Sequence, residues 1–338
     1  MAWSWTATTT ADLRRFLEER GLTSGSLRLT PIGDGHSNLT YLVTDAERSM
    51  VLRRPPPPPT PPGAHDMLRE ARLVRALSGS GVPVATVLAT AEVDEVLDVA
   101  FYVMSLAHGE VVTDSTPAVL AGSRRTISEG LVDTLVALHD VDWKAAGLDG
   151  FGRPEGFNRR HLERMAHLVA DEDGAPPAAF GAIEGWLREH VPDESAATVV
   201  HNDFRLGNVI VTPSTGAIAA VLDWELATLG DPLIDVAYLL SSVPVPGEPL
   251  TPTQELARAM LEDGYASRAE LAGRYAERSG RDLSTLPWYT ALVNWKLAVL
   301  YEYGRRRAVQ GIGDPYYAEP GQVEAFLDAA HRSVAVSR

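Results

Sequence analysis

The alternation of hydrophobic and polar residues divides the chain into a strand-rich first third and a mainly helical remainder. In the first third, alternation and β-branched or aromatic composition predict strands over 27–32, 39–43, 50–53 and 99–104, and a turn into a strand at 81–85. Hydrophobic residues at helical spacing predict helices over 11–20 and 64–77. We therefore expect a small sheet accompanied by two helices.

From about residue 118 the hydrophobic spacing becomes helical. It predicts one helix ending at 139–140, two helices within 157–190, and a final helix over 287–307. Gly230-Asp231-Pro232 is a helix start, with Asp231 as a cap, and further capping sequences begin at Thr251 and Ser267. The fold class expected from both parts is α+β.

Length and composition favour a globular protein with two lobes or domains. The chain has 338 residues, of which 45% are hydrophobic, which is enough to form substantial cores. It has no apolar run of the roughly 18 residues that a membrane span needs, so no membrane partner is expected. Seven of residues 55–62 are proline, which predicts an extended connector. A binding site for a proline-recognising domain is the alternative interpretation.

The net charge and the absence of cysteine exclude several kinds of function. The formal net charge is −15, whereas a nonspecific nucleic-acid binder normally has a basic face, so no nucleic-acid partner is expected. With no cysteine, disulfides, thiolate metal sites and cysteine nucleophiles are impossible. The first residues have neither a basic region nor an apolar run of the secretory type, so a cytoplasmic location is expected. The oligomeric state is left open.

One stretch, 199–225, brings together the residues with the most distinctive chemistry. Two β-branched segments flank turn residues at 213–216, which predicts a hairpin. Pairing about the turn would place Asn208 opposite Asp223, with Asp203 on the loop that leads into the hairpin. Asn208 and Asp223 offer hard oxygen ligands of the kind that hold Mg²⁺ together with substrate phosphates. Asp203 could then accept a proton from a hydroxyl that attacks phosphorus.

The same residues carry a family resemblance. His201-Asn202-Asp203, followed by Asn208 and Asp223, resembles the aminoglycoside phosphotransferase (APH)-like branch of the kinase fold. The run 221–238 is similar to APH domains related to those fused to some acyl-CoA dehydrogenases. The resemblance implies a bilobal, protein-kinase-like fold. Its nucleotide-binding lobe would span 1–106, its catalytic and acceptor-binding lobe 107–338, and its hinge about 104–109.

The resemblance also implies a turn that covers the phosphates of ATP. It would contain Gly33, Gly35, Ser37 and Asn38, with backbone amides making the contacts. Asn38 stands where the family pattern has a third glycine, and a plain β-turn is the alternative interpretation. A P-loop NTPase is excluded, because no glycine-rich loop with the Walker A lysine occurs.

Further nucleotide-binding residues are implied on the third strand, the following helix and the hinge. Arg53 replaces the usual strand lysine that holds phosphates, and Glu70 would pair with it. The alternatives are a surface Arg53 and a Glu70 that pairs with Arg69 or Arg75. At the hinge, adenine would lie beside Met104 and contact backbone groups near Ser105 and Ala107.

The implied reaction moves the γ-phosphoryl group of ATP, with Mg²⁺, to a hydroxyl of a small molecule. Asp203 would be the catalytic base, and Asn208 and Asp223 would hold the metal. The related domains indicate a hydroxyacyl acceptor. An aminoglycoside is less favoured, because 232–246 contains a single acidic residue, Asp235, which we expect to orient the catalytic loop. A protein acceptor is disfavoured, because no activation segment of the protein-kinase type follows Asp223.

Two other interpretations are open at this point. Arg53 and the absent third glycine suit a nucleotide-binding pseudokinase with little activity. A metal-dependent hydrolase could instead use His201, Asp203, Asp223 and Glu225 as metal ligands, since His-x-Asp can chelate.

Overall fold

The computed structural model describes residues 5–33, 38–57, 65–312 and 314–336. Its first part contains a five-stranded antiparallel sheet of order β1-β2-β3-β5-β4. The strands are β1 Arg28–Pro31, β2 Leu39–Thr44, β3 Ser49–Arg54, β4 Val87–Ala91 and β5 Phe101–Ser105. Two helices accompany the sheet, α1 Ala7–Glu19 and α2 Met67–Leu77.

Successive residues of β5 pack against different helices, α1 on one face of the sheet and α2 on the other. Phe101 and Val103 are buried in one cluster with the apolar face of α1, where Phe16 meets Phe101 edge to face. Tyr102 belongs instead to a cluster with Met67 of α2. Since successive strand residues point to opposite faces, α1 and α2 cover opposite faces of the sheet.

The second part of the chain is mainly helical and is built around one long buried helix, α9. Among the described residues its helices are α3 Arg124–His139, α4 Phe157–Val169, α5 Ala178–Glu189, α6 Leu233–Ser242, α7 Pro252–Glu255, α8 Arg268–Ser279, α9 Leu286–Val309 and α10 Gly321–Val336. Residues of α9 from Trp288 to Val299 are buried almost without interruption. A helix that is apolar all round must be enclosed by others, and α4, α5, α6 and α10 pack against α9.

Two short strand pairs hold the loops that carry the sequence motif. β6 Thr198–Val200 pairs with β9 Thr228–Gly230, and β7 Val209–Val211 pairs with β8 Ile218–Val221. The loop after β6 and the segment before β9 therefore lie next to each other.

The chain that leaves the sheet is attached to the same hairpin. Glu110 forms a bridge with Val211, in which each amide N–H donates to the other carbonyl, at 2.9 and 2.8 Å. Gly109 passes so close that a Cβ there would lie 2.4 Å from the Val211 carbonyl oxygen. A glycine is therefore required where the sheet meets the helical part.

The structure confirms the α+β class and most predicted elements. The helix over 287–307 is not the final one, because α10 follows it. The strands β6 and β9 were not predicted, since three residues are too few to show a period, and β4 begins at Val87, after the predicted turn at 81–85. Much of the proline run, 58–62, lies outside the described residues. The boundary at 104–109 stays a prediction, and no described helix is long and apolar enough to cross a membrane.

Candidate active site

The β7–β8 hairpin places Asn208 one residue away from the predicted pairing. Val209 pairs with Val221, and the Leu222 amide donates to the Asn208 carbonyl at 2.8 Å. The partner of Asn208 is therefore Leu222, and the prediction of Asp223 was wrong. The turn is centred nearer to Ser214 than the prediction assumed, since Val211 pairs with Ile218, and a register shift between Ile210 and Val211 then moves the partner of Asn208 by one residue. Asp223 is consequently the first residue beyond the pair.

Asp203 and Asn208 are joined by side-chain hydrogen bonds. The Nδ2 atom of Asn208 donates to both the carbonyl oxygen and the Oδ2 atom of Asp203, each at 2.8 Å. Among the described residues, both hydrogen bonds of the Asn208 side chain use the amide nitrogen. Its Oδ1 atom is therefore left for another partner, such as a cation.

Arg53 connects β3 to two carboxylates. Its guanidinium lies 3.4 Å from Glu70 Oε1 and 3.1 Å from Asp223 Oδ1, and Tyr102 donates to Glu70 Oε1 at 3.1 Å. Burial opposes the charge of Arg53, yet Glu70, followed by Tyr102 and Asp223, raises its pKa overall. For Glu70, burial raises the pKa more than the Arg53 charge lowers it. The predicted Arg53–Glu70 ion pair is confirmed, and its extension to Asp223 is new.

The backbone of the catalytic loop is held by a buried carboxylate on α6. The Oδ2 and Oδ1 atoms of Asp235 accept from the amides of His201 and Asn202 at 2.6 and 2.7 Å. Asn202 has a left-handed φ of 67°, a strained conformation that this pair of hydrogen bonds stabilises. Burial would raise the pKa of Asp235, but hydrogen bonding and the charge of His139, with help from His201, lower it. Asp235 is thus placed to orient the loop, as expected.

His201 cannot serve as a metal ligand, because both ring nitrogens are used within the loop. Its Nδ1 atom accepts from the Asp203 amide at 3.2 Å, so Nε2 carries the proton and donates to the Leu222 carbonyl at 2.8 Å. In the described parts of the chain no group of three or more His, Cys, Asp or Glu side chains has metal-binding geometry. The ligand set that the hydrolase hypothesis required, His201, Asp203, Asp223 and Glu225, is therefore not assembled among the described residues.

The predicted phosphate turn is described at its two ends. Gly33 is exposed with a φ of 79°, and Asn38 is buried, whereas Gly35 and Ser37 lie outside the described residues. The Nδ2 atom of Asn38 donates to Glu225 Oε2 at 2.9 Å. Asn38 therefore connects this turn to the segment after Asp223, and phosphate binding by the turn stays a prediction.

At the predicted hinge, Met104 is half-buried and packs against the cluster of Met67, Ala71 and Tyr102. The amide of Ser105 donates to the Thr86 carbonyl at 2.8 Å, and Ser105 Oγ accepts from the Thr86 amide at 2.9 Å. The Ser105 N–H is therefore occupied. A backbone donor for adenine would have to come from the neighbourhood of Ala107.

Sequence reasoning missed three side chains at the loop. The Nε atom of Arg205 lies 3.5 Å from Asp203 Oδ1, and Lys296 Nζ donates to the Asn202 carbonyl at 3.1 Å. Burial and, after it, the charge of Asp203 raise the pKa of Tyr238 well above its usual value. Burial lowers the pKa of Lys296 to about 8, despite the attraction of Asp203 and Asp235. Lys296 could have been singled out from the sequence, since it is the single charged residue between Trp288 and Val299.

An antiparallel five-stranded sheet, followed by a helical region that carries Asp203, Asn208 and Asp223 on one hairpin and its loop, defines a kinase-like protein. A comparison of the sequence with protein-family models agrees with a kinase-like protein. The model of the Phosphotransferase enzyme family (APH) matches residues 28–273, and the chain belongs to that family.

Three known proteins show the range of similarity. Acyl-CoA dehydrogenase family member 10 of Mus musculus is 38% identical over 217 residues, which are 64% of this chain and 20% of that protein. The chain thus spans about a fifth of that curated relative. A crystal structure from Ralstonia eutropha jmp134, provisionally assigned as an aminoglycoside phosphotransferase, has a TM-score of 0.77 and 27% identity, and covers 96% of this chain and 98% of its own. A thermostable mutant of aminoglycoside phosphotransferase APH(4)-Ia, in a ternary complex with ADP and hygromycin B, has a TM-score of 0.61 and 18% identity. The match covers 95% of this chain and 97% of that chain.

Proposed function

We propose that the protein transfers the γ-phosphoryl group of ATP to a hydroxyl group of a small molecule. The observation that carries the proposal is the pair of 2.8 Å hydrogen bonds by which Asn208 fixes Asp203, at the end of the hairpin that also bears Asp223. Membership of the APH family supports phosphoryl transfer. The complex of APH(4)-Ia with ADP and hygromycin B shows that a protein of this fold binds a nucleotide and a small molecule together.

Asp203 is proposed as the group that orients and deprotonates the acceptor hydroxyl. Its Oδ2 atom is fixed by Asn208, and its Oδ1 atom lies near Arg205. A carboxylate held in this way can receive a proton without first having to be ordered, and positioning of this kind accounts for much of enzymatic catalysis. Arg205 is placed to stabilise negative charge that develops on the phosphoryl group.

The residues present fit a magnesium ion. Asp223 and the free Oδ1 of Asn208 are oxygen ligands, and Mg²⁺ in kinase sites is usually bound by one or two carboxylates plus substrate phosphates. Two protein ligands are therefore enough. Bound Mg²⁺ would neutralise charge on the phosphate oxygens. Arg53, held between Glu70 and Asp223, is placed to add a second positive charge there.

A hydroxyacyl compound is the proposed acceptor class. The similarity to acyl-CoA dehydrogenase family member 10 supports it, and α6 offers a single acidic residue, Asp235, which is already bonded to the catalytic loop. A polycationic aminoglycoside would need several free carboxylates. The segment after Asp223 enters β9 within a few residues, which leaves little room for a protein-binding activation segment.

An acceptor screen coupled to ADP release tests the proposal. With ATP and Mg²⁺, hydroxyacyl acceptors should give ADP and a phosphorylated product identified by mass spectrometry. Transfer to aminoglycosides alone would overturn the proposed acceptor class.

One observation favours the alternative of a nucleotide-binding pseudokinase. The Arg53–Asp223 contact of 3.1 Å occupies an oxygen that a metal would otherwise use. Tight binding of ATP with no transfer to any acceptor would establish this alternative instead.

A further inference from the structure

A cavity of about 410 Å³ opens beside the catalytic loop, between α4, α9 and the segment that follows Asp223. We call it the α4–α9 pocket, and the polar residues that line it from α4, the catalytic loop and α9 are His161, Arg164, Asn202 and Lys296. Asn202 directly precedes Asp203, so the pocket adjoins the proposed site of proton transfer.

His161 presents an unused donor inside this pocket. The side chain is 5% exposed, and its Nδ1 atom lies 3.3 Å from an Arg164 nitrogen, which has only hydrogens to offer. Nδ1 must therefore accept, and the proton resides on Nε2. Nε2 is buried without a hydrogen-bond partner among the described residues. A buried donor left unpaired is unfavourable, which indicates that a ligand completes this site.

Lys296 adds a buried positive charge next to that donor. It is 3% exposed, and its one hydrogen bond within the described chain goes to the Asn202 carbonyl, so further N–H groups are unused. Burial lowers the pKa of His161 well below its usual value, and the charges of Lys296 and Arg164 lower it further. His161, Arg164 and Lys296 all line the same cavity and can therefore act on one ligand group.

The acidic residues around the pocket do not neutralise the positive charges of Arg164 and Lys296. Asp66 caps α2 through the Arg69 amide at 2.9 Å, and Glu70 is bonded to Arg53 and Tyr102. Glu225 accepts from Asn38. These carboxylates are engaged on the side of α2 and the sheet, where Arg69 is bonded to the carbonyls of Phe151 and Ala227, while Arg164 and Lys296 face the cavity from α4 and α9. Asp203 and Asp235 attract Lys296, but not enough to offset its burial.

We propose that the α4–α9 pocket binds an anionic group of the acceptor, a carboxylate or a phosphate, through His161, Arg164 and Lys296. This inference rests on the proposed function, because it assigns the pocket to the acceptor of that reaction. An anion anchored there would hold the rest of the acceptor next to Asn202 and bring its hydroxyl toward Asp203. The acceptor class becomes hydroxylated anions rather than neutral alcohols or polyamines.

Binding can be measured without turnover, by titration calorimetry on the full chain with AMP-PNP and Mg²⁺. The probes are 3-hydroxybutanoate for a carboxylate, glycerol 3-phosphate for a phosphate, and 1,3-butanediol as the neutral match. At least one anion should bind more tightly than the diol, and the stronger of the two identifies the anionic group. If neither anion binds better than the diol, the proposal is wrong.

The chain offers a matched control, since it contains two lysines, Lys296 and the exposed Lys144. Lys296→Met and His161→Gln should each weaken anion binding by about tenfold to a hundredfold, the loss expected for a hydrogen bond to a charged group. Lys144→Met should leave it unchanged. Wild-type affinity in folded Lys296→Met and His161→Gln proteins would overturn the assignment. Because Asp203→Asn should still bind the anion while losing transfer, failure of the reaction and failure of the pocket are distinguishable.

Discussion

Arg53 Nη2 lies 3.1 Å from Asp223 Oδ1 and thereby joins the central strand of the sheet to the end of the β7–β8 hairpin. The same guanidinium holds Glu70 of α2 at 3.4 Å. Three elements that are distant in the sequence are therefore positioned by one cation. If Arg53 also binds phosphates, as proposed, it has to share its donors between them and these carboxylates.

The Arg53–Glu70 pair should contribute strongly to stability. Glu70→Gln would leave part of the buried Arg53 charge uncompensated, and loss of one partner of a buried ion pair costs about 3–5 kcal/mol. We expect urea denaturation to show a fall in unfolding free energy near the lower end of that range, because Asp223 remains as a partner. Glu18→Gln, which removes the surface pair with Arg14, is the control and should cost less than about 1 kcal/mol. Equal effects of the two substitutions would contradict the structural role of Glu70.

Asp203→Asn should lower kcat by more than about 10²-fold, in line with the loss of a general base. The substitution keeps the size of the side chain, so the thermal unfolding temperature should change little. ADP release with the best acceptor provides the rate. A variant with normal turnover would show that Asp203 does not accept the proton.

Asp223→Asn should increase the Mg²⁺ concentration needed for half-maximal activity. Removal of groups that merely support a metal site already weakens binding by about 10–100-fold, and a ligand should matter at least as much. A magnesium titration of the initial rate measures the effect. The exposed Asp114→Asn variant should keep the wild-type requirement, and the same requirement in Asp223→Asn would remove Asp223 from the metal site.

Gly109→Ala should destabilise the protein, because its Cβ would lie 2.4 Å from the Val211 carbonyl oxygen and would disturb the bridge between Glu110 and Val211. Overpacking of this kind costs about 1–3 kcal/mol. Gly122→Ala is the matched control, since a Cβ there has no atom within 4 Å. Thermal unfolding of both variants would show the difference, and identical melting temperatures would mean that the chain can move away from the hairpin at no cost.

Stability should depend on pH through Lys296. Its pKa is 10.5 in an ordinary environment and about 8 in the folded protein, because burial disfavours the charged form. Between these values the unfolded chain binds more protons than the folded one, so the unfolding free energy rises with pH. At the upper end of this pH range, the gain in unfolding free energy is at most about 3 kcal/mol.

Lys296→Met lacks this titration and isolates it. The variant should be more stable than the wild type near pH 7, and its advantage should shrink as the pH increases beyond about 8. Urea denaturation at several pH values measures the difference. A difference that stays constant across the range would show that Lys296 is not desolvated.

Residues close together in the sequence were the ones whose arrangement could be predicted. The Asp203–Asn208 contact follows from a five-residue loop that feeds a hairpin, and Glu70 could be assigned to a buried face from the helical spacing of its neighbours. The partner of Asn208 was missed because the residue types fix neither the exact centre of the turn nor the irregularity between Ile210 and Val211.

The wall of the α4–α9 pocket could not be predicted in the same way. His161 and Lys296 are separated by more than a hundred residues, and their proximity depends on how α4 packs against α9. Sequence patterns indicate which face of a helix is buried, but not which other helix covers it. A lysine within an otherwise apolar helix indicates a special environment, although the pattern does not say with what it interacts.

The hydrogen bonds that the amides of His201 and Asn202 donate to Asp235 separate two tasks within the molecule. The carboxylate proposed to react is positioned by the backbone of a short loop that is bonded to α6, whereas the walls proposed to meet the acceptor come from side chains of α4 and α9. If these proposals hold, substitutions on the two helices that spare Lys296, which is bonded to the loop, would change substrate choice and leave the loop in place. A scaffold with this division is well suited to the redesign of acceptor preference by changing a few helix positions.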